Sequence, residues 1–162
     1  MVPTSEGLVF EKVTPETFPE LARHIKGLAS YERCPVDDAH IERVMAEAFK
    51  EHSCFEGYLA RKEGEAVGSI ICIWSFSTSK GRPTMVMDHL FVADGHRGKG
   101  IGKMLFQFAI GKAVGAGCGR MEWNALEWNT NALKFYQTMG AKSIDGVVYF
   151  RMTDADLEHM IE

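Results

Sequence analysis

The stretch 97-RGKGIGKML-105 places three glycines within five residues and then continues as the start of a helical pattern. A strand pattern, 84-TMVMDHLFV-92, comes shortly before it. Because side chains are small at this helix start, its backbone N–H groups and the helix dipole are open to an anion. The turn is typical of a pyrophosphate site with Arg97 and Lys103 at its rim. It also fits a plain connection in which the glycines only relieve crowding.

Two common phosphate loops differ from this turn. A GxxxxGK[ST] loop would need Ser or Thr at Met104, and a GxGxxG loop would need glycine at Leu105. A nucleotide-binding protein of either type is therefore disfavoured.

The composition predicts one folded domain over residues 1–162, because 46% of the chain is hydrophobic and 25% is charged. The net charge of −4 is spread without a Lys/Arg block, which argues against nucleic-acid and membrane partners. We expect no secretory leader, no membrane span and no metal site. The four cysteines form no CxxC pair, so we expect a reduced, cytoplasmic protein in which Cys72 belongs to the core.

Hydrophobic periodicity predicts an α+β fold of the three-layer, α/β type, with a mixed central sheet and helices on both faces. The predicted strands are 8–13, 57–63, 67–76, 84–92, 120–126 and 147–152, and the predicted helices are 15–29, 37–49, 101–113, 129–140 and 154–160. Short turns between the middle strands predict an antiparallel meander. The helix after the glycine turn predicts one parallel crossover.

The hexapeptide 97-RGKGIG-102 resembles the R/Q-x-x-G-x-G/A signature of the GNAT superfamily of acetyl-CoA-dependent N-acetyltransferases. DHLFV before the turn and EWN after it extend the resemblance, and ALKFYQTMGA resembles the family's NxxAxxFYxxxGF region. The resemblance covers nearly the whole chain and implies the GNAT fold with acetyl-CoA as the acetyl donor. ASYER, MDHLFV and ALEWN further resemble the diamine, polyamine and thialysine acetyltransferase branch, which implies a small amine substrate and a homodimer.

The resemblance also implies which residues hold coenzyme A. They are the main chain of Leu90, Phe91 and Val92 beside the pantetheine arm, the turn Arg97, Gly98, Lys99, Gly100, Ile101, Gly102 and Lys103, and Asn129 and Ala132 at the next helix start. An open strand end at 90–92 would offer a backbone N–H to the thioester oxygen. Asn129 equally fits a plain helix cap.

Proton transfer points to Tyr136 and Asp88. The resemblance makes Tyr136 the general acid for the leaving thiolate, although its helical spacing also fits a core residue. Asp88 interrupts an apolar strand and aligns with an acidic residue of the polyamine branch, where it would hold the amine or act through water. Strand alternation places Asp88 on the face of Val86 and Leu90, and His89 on the other face with Met87 and Phe91, unless a bulge re-aims it. His89 is the better tuned base but also fits a hydrogen-bonded sheet histidine.

The amine pocket is implied by the branch resemblance and comprises Tyr31, Glu32, Asp88, Glu122, Trp123 and Asn124. Each of these also fits surface charge or an aromatic core residue. Asp88 stands where the polyamine enzymes carry the longer Glu, and Arg33-Cys34 departs from their acidic stretch. Both differences argue against spermidine-type selectivity more than they argue against acetyl transfer.

The predicted function is direct acetyl transfer, in a ternary complex, from acetyl-CoA to a primary amine of a diamine, polyamine or lysine-like molecule. One alternative keeps the chemistry and changes the acceptor to a protein N-terminus or an aminoglycoside. Another is a non-catalytic acetyl-CoA-binding module.

Overall fold

The computed structural model describes residues 2–3 and 7–160 of the chain. They divide into two compact units, Met1–Leu126 and Glu127–Glu162. The single domain expected over residues 1–162 stays a prediction.

The first unit contains a six-stranded mixed sheet in the order β1-β2-β3-β4-β5-β6. Its elements are β1 (Val2–Pro3), β2 (Leu8–Lys12), α1 (Phe18–Tyr31), α2 (Asp38–Phe49), β3 (Phe55–Lys62), β4 (Glu65–Ser77), β5 (Arg82–Val92), α3 (Ile101–Gly115) and β6 (Arg120–Glu122). Strands β1 to β5 pair antiparallel, whereas β5 and β6 pair in parallel. The predicted meander and the parallel crossover through α3 are confirmed.

Helices cover both faces of this sheet, as predicted. On one face, Phe18 and Leu21 of α1 pack with Phe55, Leu59 and other buried residues, and α2 adds partly buried side chains to the same cluster. On the other face, Phe108 of α3 stacks on Phe10 at 4.6 Å between ring centroids. It also meets Tyr58 edge-on at 4.9 Å. Because Tyr58 and Leu59 are neighbours in β3, their side chains point to opposite faces.

Local sequence explains where the first helices begin. Helix α1 starts at Phe18 with a proline in its first turn, slightly later than the predicted start at Pro15. Asp37 caps α2 by accepting a hydrogen bond from the His40 backbone N–H at 2.7 Å.

The second unit contains helices α4 (Thr130–Thr138) and α5 (Asp154–His159). The predicted strand at 147–152 is wrong, because these residues form no regular element. Their Val, Tyr and Phe content favours a strand, but an isolated extended segment is not stable without a neighbouring strand. The strand predicted at 120–126 ends at Glu122.

Candidate functional site

The glycine turn adopts a backbone that side chains disfavour. Gly98 and Gly100 have φ angles of +74° and +80°, and a Cβ atom on either would meet nothing within 4 Å. Relief of crowding therefore does not explain these two glycines. They permit a left-handed backbone and leave the space above the start of α3 open. Gly102 differs, because a Cβ there would make an ordinary contact with Val92 at 3.7 Å.

Three exposed cations, Arg97, Lys99 and Lys103, surround this helix start. Arg97 is anchored by one contact to the last residue of β5 and one to the loop that follows it. Its Nε donates to the Val92 carbonyl at 3.0 Å, and its Nη2 lies 3.1 Å from the Asp94 carboxylate. The Val92 carbonyl, predicted to lie beside the pantetheine arm, thus has a donor within the chain.

Arg97 also connects the turn to α1. Its guanidinium carbon lies 5.5 Å from the centroid of the Tyr31 ring and 5.8 Å from that of Phe91. Helix α1 approaches Phe91 closely at Gly27, where an added Cβ would come within 2.9 Å of the Phe91 ring. The predicted acceptor residue Tyr31 and the predicted cofactor residue Arg97 are therefore in contact.

Strand β5 leaves its neighbour β6 before it reaches the turn. The parallel pairing covers Thr84–Arg120, Met85–Met121 and Val86–Glu122. Within the described residues, β6 ends there, so the β5 segment 87–92 extends beyond the pairing. This segment contains the main chain of 90–92 that was predicted to meet the pantetheine arm.

A β-bulge lies at Asp88. Cys72 pairs with Met87 and Ile71 pairs with His89, so Asp88 is the extra residue of β5. The pairs Ile73–Val86 and Ile70–Leu90 place Val86 and Leu90 on opposite faces.

The predicted shared face of Asp88, Val86 and Leu90 is therefore wrong, because the bulge breaks the alternation. His89 shares a face with Phe91 as predicted, but it does not share one with Met87.

Glu32, which follows α1, and Asp88 of β5 lie close enough for their carboxylates to interact electrostatically. Asp88 is exposed, whereas Glu32 is partly buried at the end of α1. Partial burial raises the pKa of the Glu32 carboxyl, and the negative charge of Asp88 raises it further. The structure thus brings together two residues that were predicted to contact the amine.

His89 is a buried, hydrogen-bonded sheet residue. It is 5% exposed, and its Nε2 lies 2.8 Å from the hydroxyl of fully buried Ser69. Burial lowers the pKa of His89 to about 3, with a smaller contribution from His24. His89 is therefore neutral at physiological pH and a weak base.

His24, on α1, packs against the Phe91 ring, which also lies beside His89. Its ring lies 5.0 Å from that of Phe91, and burial lowers its pKa as well. Its Nδ1 has no hydrogen-bond partner among the described residues.

Two of the three residues on and after β6 that were predicted to line the amine pocket contact residues that were not predicted to belong to it. Glu122 forms an ion pair with Arg120 at 3.1 Å, and the Trp123 ring meets Phe106 of α3 edge-on at 5.2 Å. Asn124 is exposed. For Trp123, this contact fits an aromatic that anchors the chain after β6 to α3.

In the second unit, Asn129 caps α4. Its Oδ1 accepts a hydrogen bond from the Ala132 backbone N–H at 3.2 Å. The helix cap, one of the two roles that the sequence analysis gave for Asn129, is therefore present. Tyr136 lies in the middle of α4, with its ring 5.2 Å from that of Phe135.

Sequence reasoning missed Ser69 and His24. Both are polar residues within apolar patterns, GSIICIW and LARHI, and that interruption was the available signal. Cys72, from the same apolar run as Ser69, is fully buried as predicted, and burial raises the pKa of its thiol to about 12.

A separate cavity of about 410 Å³ lies at the other end of β3 and β4, against the end of α2. Lys12, Phe49, Phe55 and Trp74 are among its lining residues, and none of the predicted site residues is. It therefore lies apart from the candidate site.

The chain belongs to the acetyltransferase (GNAT) family, whose model matches residues 17–141. Thialysine N-epsilon-acetyltransferase of Bos taurus is 29% identical over 134 residues, which cover 76% of this chain and 78% of that protein. L-ornithine N5-acetyltransferase NATA1 of Arabidopsis thaliana is 32% identical over 89 residues, covering 54% of this chain. The match spans 39% of the length of NATA1.

Solved structures share the fold. Integron cassette protein VCH_CASS6, from the mobile metagenome of V. cholerae, superimposes with a TM-score of 0.84 at 25% identity, over 96% of this chain and 98% of that one. AAC(6')-Iy, solved with the bisubstrate analog CoA-S-monomethyl-acetylneamine, gives a TM-score of 0.76 at 17% identity, over 90% of this chain and 98% of that one.

Members of this family use acetyl-CoA as co-substrate, and the chain is an N-acetyltransferase of that family. The turn fits this donor, because the positions above Gly98 and Gly100 are open and cations surround them. No group of three or more His, Cys, Asp or Glu within residues 2–3 and 7–160 could hold a metal ion. Over the same residues, no helix has the length and apolarity needed to cross a bilayer.

Substitution of Gly100 by alanine tests the turn. The change places a side chain at φ +80°, which costs about 1–2 kcal/mol, and puts a methyl group into the open space. We expect the Kd for coenzyme A, measured by titration calorimetry, to rise about tenfold, or about 1.4 kcal/mol.

Gly81→Ala is the matched control, because Gly81 has φ +61° and equally open surroundings in the β4–β5 turn. It should leave this Kd unchanged. Equal effects of the two substitutions would show that general strain, and not the turn, controls binding.

Proposed function

We propose that this acetyltransferase moves the acetyl group to a primary amine of a small cationic molecule, a diamine, polyamine or lysine-like amino acid. The observation that carries the proposal is the Glu32–Asp88 carboxylate pair in the first unit. Two neighbouring carboxylates repel each other, and a bound ammonium ion relieves that repulsion. A substrate with two cationic groups could neutralise both.

Two relatives support this acceptor class. One is named as an L-ornithine N5-acetyltransferase and the other as a thialysine N-epsilon-acetyltransferase. Both names describe acylation of a side-chain amine on an amino acid that also carries an α-amino group. This chemistry suits a site with paired negative charge.

Asp88 and Glu32 would first hold the ammonium form of the substrate. An ammonium ion must lose a proton before its nitrogen can attack a carbonyl carbon, and an ordinary carboxylate is a weak base for that step. We propose that Asp88 orients the amine and that a water molecule relays the ammonium proton to Glu32. Glu32, whose pKa is raised, accepts a proton more readily than an ordinary glutamate. Buried His89 is not assigned as the base.

In the first unit, the donor side of the reaction is assigned to the turn and to β5. When bound, acetyl-CoA would supply an acetyl thioester. The start of α3 would hold its pyrophosphate, Leu90, Phe91 and Val92 would align its arm, and a backbone N–H of 90–92 would stabilise negative charge on the carbonyl oxygen. Asn129 and Ala132 are proposed as further contacts. Tyr136 is proposed to protonate the leaving sulfur, by resemblance to related enzymes.

An amine panel tests the acceptor. Thiol release from acetyl-CoA is measured with putrescine, spermidine, lysine, thialysine and ornithine, and with n-butylamine, an aminoglycoside and a short peptide. We expect turnover on the dicationic amines, with a KM well below that for n-butylamine. Glu32→Gln and Asp88→Asn should each raise the KM for the diamine about tenfold to a hundredfold, the range expected for loss of a contact to a charged group. Tyr136→Phe should lower kcat.

Glu42→Gln is the control for charge, because Glu42 is an exposed carboxylate on α2. Its kinetics should match the unmodified chain. Turnover confined to the peptide or the aminoglycoside would contradict the proposed acceptor. Tight coenzyme A binding without turnover on any amine would favour the non-catalytic module.

We also propose that the protein is a homodimer in the reducing cytoplasm. The resemblance to the polyamine branch supports the dimer, and so does the exposed apolar segment 147-VVYFRM-152 in the second unit. Phe150 is 91% exposed there. An aromatic side chain with that much exposed surface is uncommon unless a partner covers it. The spacing of the cysteines supports the compartment.

Sedimentation equilibrium tests the dimer, which should show twice the chain mass of 18.1 kDa. Val148→Ser should shift the equilibrium towards monomer. Val114→Ser on α3 should leave it unchanged, although both valines are 73% exposed. A monomer mass for the unmodified chain would contradict the proposal.

A further inference from the structure

The bulge at Asp88 decides which side chain enters the core between β5 and α1. Without it, regular alternation after the Cys72–Met87 pair would place Asp88 opposite Ile71, a 6% exposed residue in the α1 core. With it, His89 takes that place and Asp88 is exposed. A one-residue slip would therefore bury the carboxylate in an apolar core, which is strongly unfavourable.

The bulged register makes one buried polar contact possible. Ser69 pairs with Phe91 and lies on the same face as Ile71, so it faces α1. In that register His89 lies on the same face, and its Nε2 reaches the Ser69 hydroxyl at 2.8 Å. In a regular register His89 would lie on the opposite face, where this bond could not form. Both side chains would then be buried without each other as partner.

We propose that the Ser69–His89 hydrogen bond holds β5 in the bulged register and so positions the Asp88 carboxylate beside Glu32 at the amine site. Ser69 and His89 are positioning residues, since they act through Asp88. The inference rests on the proposed role of Asp88 in holding the amine.

Surrounding contacts restrict His89 to this one arrangement. The His89 and Phe91 rings lie 6.1 Å apart, and the Phe91 ring in turn packs against His24. Gly27 brings the α1 backbone against the same ring. A histidine enclosed in this way supplies a fixed hydrogen bond, and its low pKa keeps it neutral while the carboxylates outside carry the charge.

Ser69→Ala tests the inference, because it removes the hydroxyl with little change in volume. We expect kcat/KM for the diamine to fall about tenfold to a hundredfold, as for a misplaced contact group, with the KM for acetyl-CoA within about twofold. A second readout does not depend on activity. If Asp88 moves away from Glu32, the pKa of Glu32 falls in carboxyl ¹³C NMR titrations, in the same direction as in Asp88→Asn.

Thr84→Val is the matched control. Thr84 is buried in β5, the strand of His89, and its hydroxyl has no hydrogen-bond partner among the described residues. The substitution should leave diamine kinetics and the Glu32 titration unchanged.

His89→Phe and the Ser69→Ala/His89→Phe double variant give a second test. If the two residues act through one hydrogen bond, the double variant should be no worse than the more affected single variant. Additive losses would overturn the proposal.

The remaining outcomes separate this inference from the proposed function. If Ser69→Ala lowers Tm but leaves diamine kinetics and the Glu32 titration unchanged, the bond is merely structural and the inference fails. If Asp88→Asn leaves diamine kinetics unchanged, the proposed amine-holding role fails. If Asp88→Asn shifts the Glu32 titration and Ser69→Ala does not, the inference alone is overturned.

Discussion

Strand β5 separates from β6 after three paired residues, and the predicted site residues of β5, from Asp88 to Val92, all lie beyond that point. Up to Val86 the two strands form a parallel ladder, whereas β5 continues to Val92 without that neighbour. A strand edge that is not paired on one side presents backbone hydrogen-bonding groups to whatever lies beside it. The amine-side bulge at Asp88 lies within this stretch, and the donor-side turn follows it in the chain. The position of the candidate site therefore follows from the path of β5 in the sheet, and its side chains lie along and beside the end of that strand.

Charge and burial divide the acceptor side into an inner and an outer part. The inner part contains His24 and His89, which are buried, with pKa values lowered by burial. The outer part contains Glu32 and Asp88, which repel each other. Phe91 and the close approach at Gly27 lie between α1 and the sheet. A neutral, packed interior beneath two carboxylates lets the surface attract a cation without a buried charge that would weaken the fold.

Much of the fold followed from the sequence because its elements have local signals. Short Gly- and Pro-containing turns separate three β-rich runs, which is enough to predict an antiparallel meander. The glycine turn followed by an apolar helix predicts the crossover through α3. These features depend on neighbouring residues and on periodicity, which a single sequence displays.

Other features depend on partners that a single sequence does not display. The bulge at Asp88 arises from the pairing of β5 with β4, so strict alternation assigned the wrong faces. The segment 147–152 has strand-forming residues, but strand formation depends on a neighbour. The family resemblance placed Glu32 and Asp88 in one amine pocket. Residue types alone could not show that α1 packs against β5 and so brings the two carboxylates together. The role of Tyr136 stays a prediction.

We propose that the end of β5, beyond its three-residue pairing with β6, and the glycine turn together hold coenzyme A. Amide hydrogen exchange of the full chain, with and without saturating coenzyme A, tests it most directly. We predict slower exchange at the amides of 90–92 and at the start of α3, with no change in the turn around Gly81. Protection confined to other parts of the chain, or no protection when calorimetry reports binding, would contradict the account.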